Sequence, residues 1–261
     1  MNAADWPRVF QSEATCFGWC QTSLDRPEAH YLFDGRLPNC GDANRAFRPR
    51  TVDGSAHHAA AEICRCFSSF GRRVVVDVDP VAEEQGVGAA LRSRGVMPVT
   101  GRMVLMGLAA LPAVAPACHA DCEIRVLRAG QPGMRDWYHV AAAGSGDPDP
   151  APWAAFVAEQ EASLPLAVYY LALWNGSPAG ACLRIDHDGW ARIESVAVLP
   201  ECRRKGIARA MVRRACEDPE LAGSRVTWLM AEGGSPAEQL YAGLGFSVWA
   251  VRPMHRHIGP A

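Results

Sequence analysis

Between Ala191 and Met211 the chain reads ARIESVAVLPECRRKGIARAM. Residues 192–199 alternate and are rich in valine and isoleucine, which predicts a strand. A short loop follows, and a helix opens at Gly206. The first turn of a helix leaves backbone N–H groups unpaired and carries a partial positive charge, so it is a ready site for an anion. Gly206 and Ala208 keep bulk out of the way, which lets backbone amides close on a pyrophosphate. Arg203, Arg204 and Lys205 set three cations in a row beside it.

Set between that strand and an amphipathic helix, Arg203-Arg204-Lys205-Gly206-Ile207-Ala208 fits Gln/Arg-x-x-Gly-x-Gly/Ala. It resembles the acyl-CoA-binding motif of the GCN5-related N-acetyltransferases. Near the C-terminus, SPAEQLYAGLGF (Ser235 to Phe246) resembles the helix and turn that end that family's fold, with Tyr241 before the Gly-Phe pair and Leu244 in the apolar slot. The two fragments stand in the family's order, with a strand-like run at 225–231 between them. The resemblance covers residues 116–261 and implies an α+β fold with a mixed sheet, an acyl-CoA cosubstrate (acetyl-CoA in the first place) and no metal.

The rest of the chain fits two parts of similar size. A Pro/Ala-rich stretch at 109–117 has the composition of a linker, so 1–115 and 116–261 are expected to be separate domains. After the linker come a strand at 123–127, helices at 132–143 and 150–163, and strands at 166–174 and 179–186. Those last two are joined at Asn175-Gly176, a hairpin signal, and the second turns at Asp188-Gly189. The motif strand and helix, the 225–231 strand, a helix at 236–244 and a strand at 246–254 complete the pattern. In the first part the clearest pieces are a helix near 6–20, a hairpin within 31–47 and a helix at 56–70. A strand at 73–79, a helix at 80–94 with Gly86 and Gly88 inside it, and a strand at 97–106 follow. This last strand–helix–strand mirrors the end of the second part, and the layout resembles tandem acetyltransferase-fold proteins whose N-terminal half has lost the cofactor loop. That half is expected to be non-catalytic, shaping an acceptor cleft or making a homodimer contact.

Composition narrows the classes. Net charge is −2, with 49% apolar and 21% charged residues, the values of an ordinary globular protein and not of a general polyanion binder. Lys205 is the chain's single lysine among 26 basic residues, a bias best read as genomic. The N-terminal residues lack the basic end and apolar run of a signal peptide, and no apolar stretch reaches about 18 residues, so a cytoplasmic location is expected. The ten cysteines then read as reduced thiols. Cys64-x-Cys66 and Cys118-His119-Ala120-Asp121-Cys122 lack the paired spacing of structural zinc sites, and buried cysteine is the simpler reading.

The resemblance assigns roles by position. Val196, Ala197 and Val198 would offer backbone groups to the pantetheine arm, much as an added strand would, and their N–H groups would hold an oxyanion. Their side chains read as core. Glu194 lies two residues before Val196 and so is expected on the same side, where it would take a proton from the attacking amine, directly or through water. Tyr241 would protonate the departing thiolate. Arg203, Arg204, Lys205, Gly206, Ile207, Ala208 and Arg209 would hold the phosphates. Many relatives carry an asparagine seven residues before the tyrosine. Here that place is Gly234, with Ser235 as the substitute contact. On residue chemistry alone, Glu194 is also a solvated or salt-bridged carboxylate and Tyr241 also a core aromatic. Arg213 and Arg214 read as a solvated face.

The expected activity is transfer of an acetyl or other acyl group from acetyl-CoA to a primary amine of a small molecule or peptide, by direct attack. Two other readings stay open. One keeps the fold and takes an aminoacyl-tRNA as donor, which the basic helix permits and the balanced charge disfavours. The other is a non-catalytic CoA-binding or interaction protein.

Overall fold

The computed structural model describes residues 21–36, 41, 43–99, 103–108, 119–144, 167–218, 226–249 and 255–260. The helices expected at 6–20 and 150–163 and the linker at 109–117 lie outside them. In chain order the first elements are β1 (Thr22–Asp25), β2 (His30–Phe33), β3 (Arg45–Phe47), α1 (Ala56–Ser69), β4 (Val75–Val78), α2 (Pro80–Glu84), α3 (Val87–Arg92), β5 (Met97–Pro98) and β6 (Met103–Leu108). Then come β7 (Cys122–Leu127), α4 (Met134–Gly144), β8 (Ala167–Trp174), β9 (Ser177–His187), β10 (Trp190–Val198), α5 (Ile207–Cys216), β11 (Val226–Glu232), α6 (Pro236–Ala242), β12 (Ser247–Val248) and β13 (His255–Ile258). Among the described residues no helix is long and apolar enough to cross a membrane.

The chain forms two compact units. One holds residues 1–105, 231–233 and 249–261, and the other 106–230 and 234–248. The first is built on a sheet ordered β1-β2-β3-β4-β13-β5. Its apolar face is closed by α1, whose Ile63 and Phe67 pack with Tyr31, Phe33, Val76 and Val78. Ser55 caps α1 by accepting from the His58 N–H at 3.1 Å, and Asp79 caps α2 through the Val81 and Ala82 N–H groups. The single helix expected at 80–94 is two short ones, because Gly86 takes φ 81° and caps α3 instead of continuing α2. The strand expected at 97–106 is likewise two, β5 and β6.

The C-terminal run also differs from expectation. In place of one strand over 246–254 there are β12 and then β13, which pairs antiparallel with β4 and with β5. Its hold on β4 is ionic as well as backbone. Asp77 of β4 is buried and receives Arg45 Nη1 at 2.7 Å and Arg256 Nε, from β13, at 2.7 Å. A carboxylate buried this deeply needs such partners.

The second unit's sheet runs β12-β6-β11-β10-β9-β8-β7. Strands β7 to β10 form an antiparallel meander, and β10 and β11 are parallel. The turns at Asn175-Gly176 and Asp188-Gly189 put positive φ at both central residues, the geometry that matches strand twist in two-residue hairpins. Glu194, Leu183 and Tyr169 are direct rung partners across three strands, so they share one face of the sheet. Trp137 of α4 meets Tyr169 edge-on at 5.0 Å and places α4 on that face. Helix α5 lies on the other face, where Arg184 Nη1 reaches the Ala215 carbonyl near its C-terminal end.

Candidate active site

Strand β10 does not stay in register. Glu194 pairs with Leu183 and Ala197 with Ala181, so three steps on β10 oppose two on β9. The extra residue is a bulge, and Ser195 within it takes φ 52°, a left-handed conformation that costs a non-glycine residue about 1–2 kcal/mol. The bulge corrects the expectation from simple alternation: Ala197, and not Val196, continues the face of Glu194. On the other edge, β10 pairs with β11 at only three rungs, the last being Arg192 with Trp228. Beyond it the two strands part.

A cleft of about 530 Å³ lies here, entirely within the second unit. Val196, Ala197 and Val198 form one wall. Arg203, Arg204, Gly206, Ile207, Ala208 and Arg209 form the floor, and Tyr241 closes the side from α6. Gly206 caps α5 at φ 82° with no side chain bonded to the helix end, so the first-turn N–H groups and the helix dipole face a lining that also carries arginines. Of the expected residues, Glu194, Lys205 and Ser235 do not line the cleft.

Local chemistry accounts for those three. Ser235 caps α6, accepting from the Glu238 N–H at 3.2 Å, while Glu238 accepts from Gly234 N–H at 2.5 Å. The arrangement is one residue off a capping box, since Glu238 meets the N–H of Gly234 and not that of the cap Ser235. Lys205 places Nζ 4.9 Å from the centre of the Trp174 ring. Glu194 accepts from Arg192 Nε at 2.5 Å and from Arg192 Nη2. Within the cleft wall, Arg203 donates to the Val198 carbonyl at 3.1 Å and to that of Gly144 at 3.3 Å, so it braces the bulged strand against the end of α4. Arg209 reaches the Gly243 carbonyl at 3.3 Å.

Tyr241 is 6% exposed, and among the described residues its hydroxyl has no hydrogen-bond partner. Burial pushes the phenol well above its ordinary range, and the negative charge of Glu194 adds to the rise. It therefore keeps its proton at neutral pH. The Cys182 thiol is raised for the same first reason, burial, which leaves it an inert core group.

Two contributors escaped the sequence reading. Gly144, the last residue of α4, lines the cleft. A Cβ there would sit 2.8 Å from Ala197 Cβ and 3.0 Å from the Val198 nitrogen. Only a residue without a side chain lets α4 press on the bulge, and nothing in Gly-Ser-Gly-Asp-Pro distinguishes this glycine from a turn. Gly144→Ala is expected to cost about 1–3 kcal/mol, read as a lower urea midpoint with an unchanged m-value. Arg192 was legible in principle, since it alternates with Glu194 on one face.

The sequence profile of the acetyltransferase (GNAT) family matches residues 133–246. A GCN5-related N-acetyltransferase structure from Kribbella flavida is similar over 97% of this chain and 95% of its own, at TM-score 0.67 and 18% identity. A tandem GNAT protein from the clavulanic acid biosynthesis pathway is similar over 89% of this chain and 79% of its own, at TM-score 0.59 and 14% identity. A functionally unknown conserved protein from Staphylococcus epidermidis is similar over 90% of this chain and 91% of its own, at TM-score 0.60 and 17% identity. These likenesses extend over nearly the whole chain, so the architecture is that of tandem acetyltransferase-like domains. No match was found among curated proteins.

Proposed function

We propose that the second unit transfers an acetyl group from acetyl-CoA to a primary amine by direct attack. The observation that carries this reading is the opening between β10 and β11 beyond Arg192 and Trp228, floored by the bare N-terminus of α5. The residues present suit a CoA ester. Gly206, Ile207, Ala208 and Arg209 present backbone N–H groups to a pyrophosphate, with Arg204 beside them. Val196 to Val198 offer an unpaired strand edge to an amide-bearing arm. The amine nitrogen forms a bond to the thioester carbon while the carbonyl electrons move onto oxygen, which the β10 N–H groups hold. Glu194, or a water it orients, takes the proton that the nitrogen sheds. As the carbon–sulfur bond breaks, its electron pair passes to sulfur and Tyr241 donates toward it.

The test is thermal unfolding with and without millimolar acetyl-CoA, CoA and longer acyl-CoAs. Ligand at about 100 times its Kd adds roughly 2.7 kcal/mol, a rise of about 5–10 °C for a chain of this size. No rise with any CoA ester would sink the reading.

A further inference from the structure

Two strands lie in sheets that the course of the chain does not lead one to expect. β6 belongs to the first half of the sequence, before the Pro/Ala-rich stretch, yet it sits between β11 and β12 in the second unit's sheet. β13 ends the second half, yet it sits between β4 and β5 in the first unit's sheet. The two insertions correspond position for position. β4 with β5, and β11 with β12, are the strands that bracket the mirrored strand–helix–strand of each half, and each half sends its next strand into the other's pair. Both insertions are built as interior strands. On β6, Val104, Leu105, Met106 and Leu108 are all buried, so side chains on both faces of the strand are covered. Met106 and Gly107 pair with Val248 and Ser247, and the Leu105 carbonyl accepts from the Trp249 N–H at 2.9 Å. β13 pairs with Val75–Val78 on one side and with Met97–Pro98 on the other. The Val99 N–H donates to the Arg256 carbonyl at 2.9 Å, and the Gly259 N–H to the Val74 carbonyl at 2.9 Å. Arg73 Nε reaches the Gly259 carbonyl at 2.7 Å. Among the described strands β5 has no neighbour but β13, and β12 none but β6.

From this reciprocal exchange we infer that the first half of the chain serves the second as part of its scaffold. The sheet that carries the cleft is complete only with β6 in it, and the two units fold and unfold as one. β11 shows why. On one side it has three rungs with β10 before the strands part, and on the other its neighbour is β6. Withdrawing β6 would leave β11 on those three rungs and β12 on none. α6, which brings Tyr241 to the cleft, lies between those two strands in the chain. Taking out an interior strand also strips the backbone groups of both its neighbours of their partners, which is costly wherever they stay buried. The same holds for β13 between β4 and β5, where the loss of β13 would detach β5 and leave Asp77 without Arg256. Neither sheet keeps its order without the strand from the other half. This role is distinct from the acceptor cleft or homodimer contact expected of the first half, and it does not depend on what the cleft binds.

The experiment unfolds the full-length protein in urea, pulse-labels its amides with deuterium and reads peptides by mass. Peptides from α1 and β4 in the first unit and from β8 and β9 in the second should lose protection at one shared midpoint. Opening of one unit's peptides while the other's stay protected overturns the inference. A second measurement uses the full chain with a sequence-specific protease site placed within 109–117 and cut after folding. The two pieces should elute together at the undiminished mass and part only in urea, whereas pieces that part in plain buffer overturn it. Met106→Pro removes a donor from an interior strand, where proline is not tolerated. It should lower the midpoint of the first unit's peptides together with the second's, and a drop confined to the second unit counts against the inference. The wild-type unfolding decides the matter even where that variant fails to fold. None of these readouts involves acetyl-CoA, so failure of the acyl-transfer reading would leave this inference standing, and the reverse.

Discussion

Gly206→Glu is expected to weaken acetyl-CoA binding by at least about 100-fold, which is roughly 2.7 kcal/mol, while leaving the free protein nearly as stable as the wild type. The two halves of that expectation have separate causes. A Cβ at Gly206 meets nothing within 4 Å, so packing exacts no penalty. The left-handed backbone at φ 82° costs a side chain about 1–2 kcal/mol. A carboxylate at a helix N-terminus returns about 0.3–1 kcal/mol of that through the dipole, and Arg203 and Arg204 stand near it in the chain. The same carboxylate would occupy the region proposed for the pyrophosphate and repel it. Gly206→Asn is the control, because asparagine tolerates the left-handed region and adds no charge. It should lose much less affinity. Isothermal titration with acetyl-CoA on the three proteins, beside urea unfolding of each, separates binding from folding. A glutamate variant that binds like the wild type would show that the phosphates lie elsewhere.

Much of this architecture is legible in the sequence because it is locally determined. The loop at Arg203 to Ala208, the hairpins at Asn175-Gly176 and Asp188-Gly189 and the helix 56–69 each follow from residues a few positions apart. What escaped depends on distant partners. β13 is four residues, His255–Ile258, and becomes a strand because Val75–Val78 and Met97–Pro98 present edges to it and Asp77 receives Arg256. No local pattern in His-Arg-His-Ile announces that. The bulge at Ser195 is similar. Alternation through Glu194 and Val196 looks unbroken, yet the rung partners on β9 require one residue too many on β10. The candidate site inherits both kinds of information. The cleft-lining residues Arg203, Arg204 and Gly206 to Arg209 were readable from the loop. The side-chain commitments of Lys205 to Trp174, Ser235 to Glu238 and Glu194 to Arg192 needed the packed structure.

Tyr241→Phe is the substitution expected to hurt turnover most while sparing the fold. The ring stays: it is buried and lies 6.1 Å from the Phe246 ring, and phenylalanine keeps that packing. Only a hydroxyl without a partner among the described residues is removed, so the free protein should lose little stability. With the phenol raised by burial, it is protonated at neutral pH, and it remains a donor without needing a proton from solvent first. That upward shift also fixes the sign of its linkage. Stability from this group is complete below about pH 10 and is lost as pH rises further, because the unfolded phenol ionises first; the phenylalanine variant should lack that loss. A hydrogen bond to a developing thiolate is charge-assisted and worth about 1.5–3 kcal/mol, or roughly 10- to 150-fold in rate. Full general-acid catalysis reaches about 10²–10⁴-fold. Because a phenol raised in this way is a weaker acid than a thiol near 8.5, complete proton transfer runs uphill. The expected loss is therefore at the hydrogen-bond end, about 100-fold in kcat with the KM for acetyl-CoA unchanged. A loss beyond about 10³-fold would mean that the proton does transfer in the rate-limiting step. A variant with wild-type kcat would remove Tyr241 from the chemistry and leave it as core.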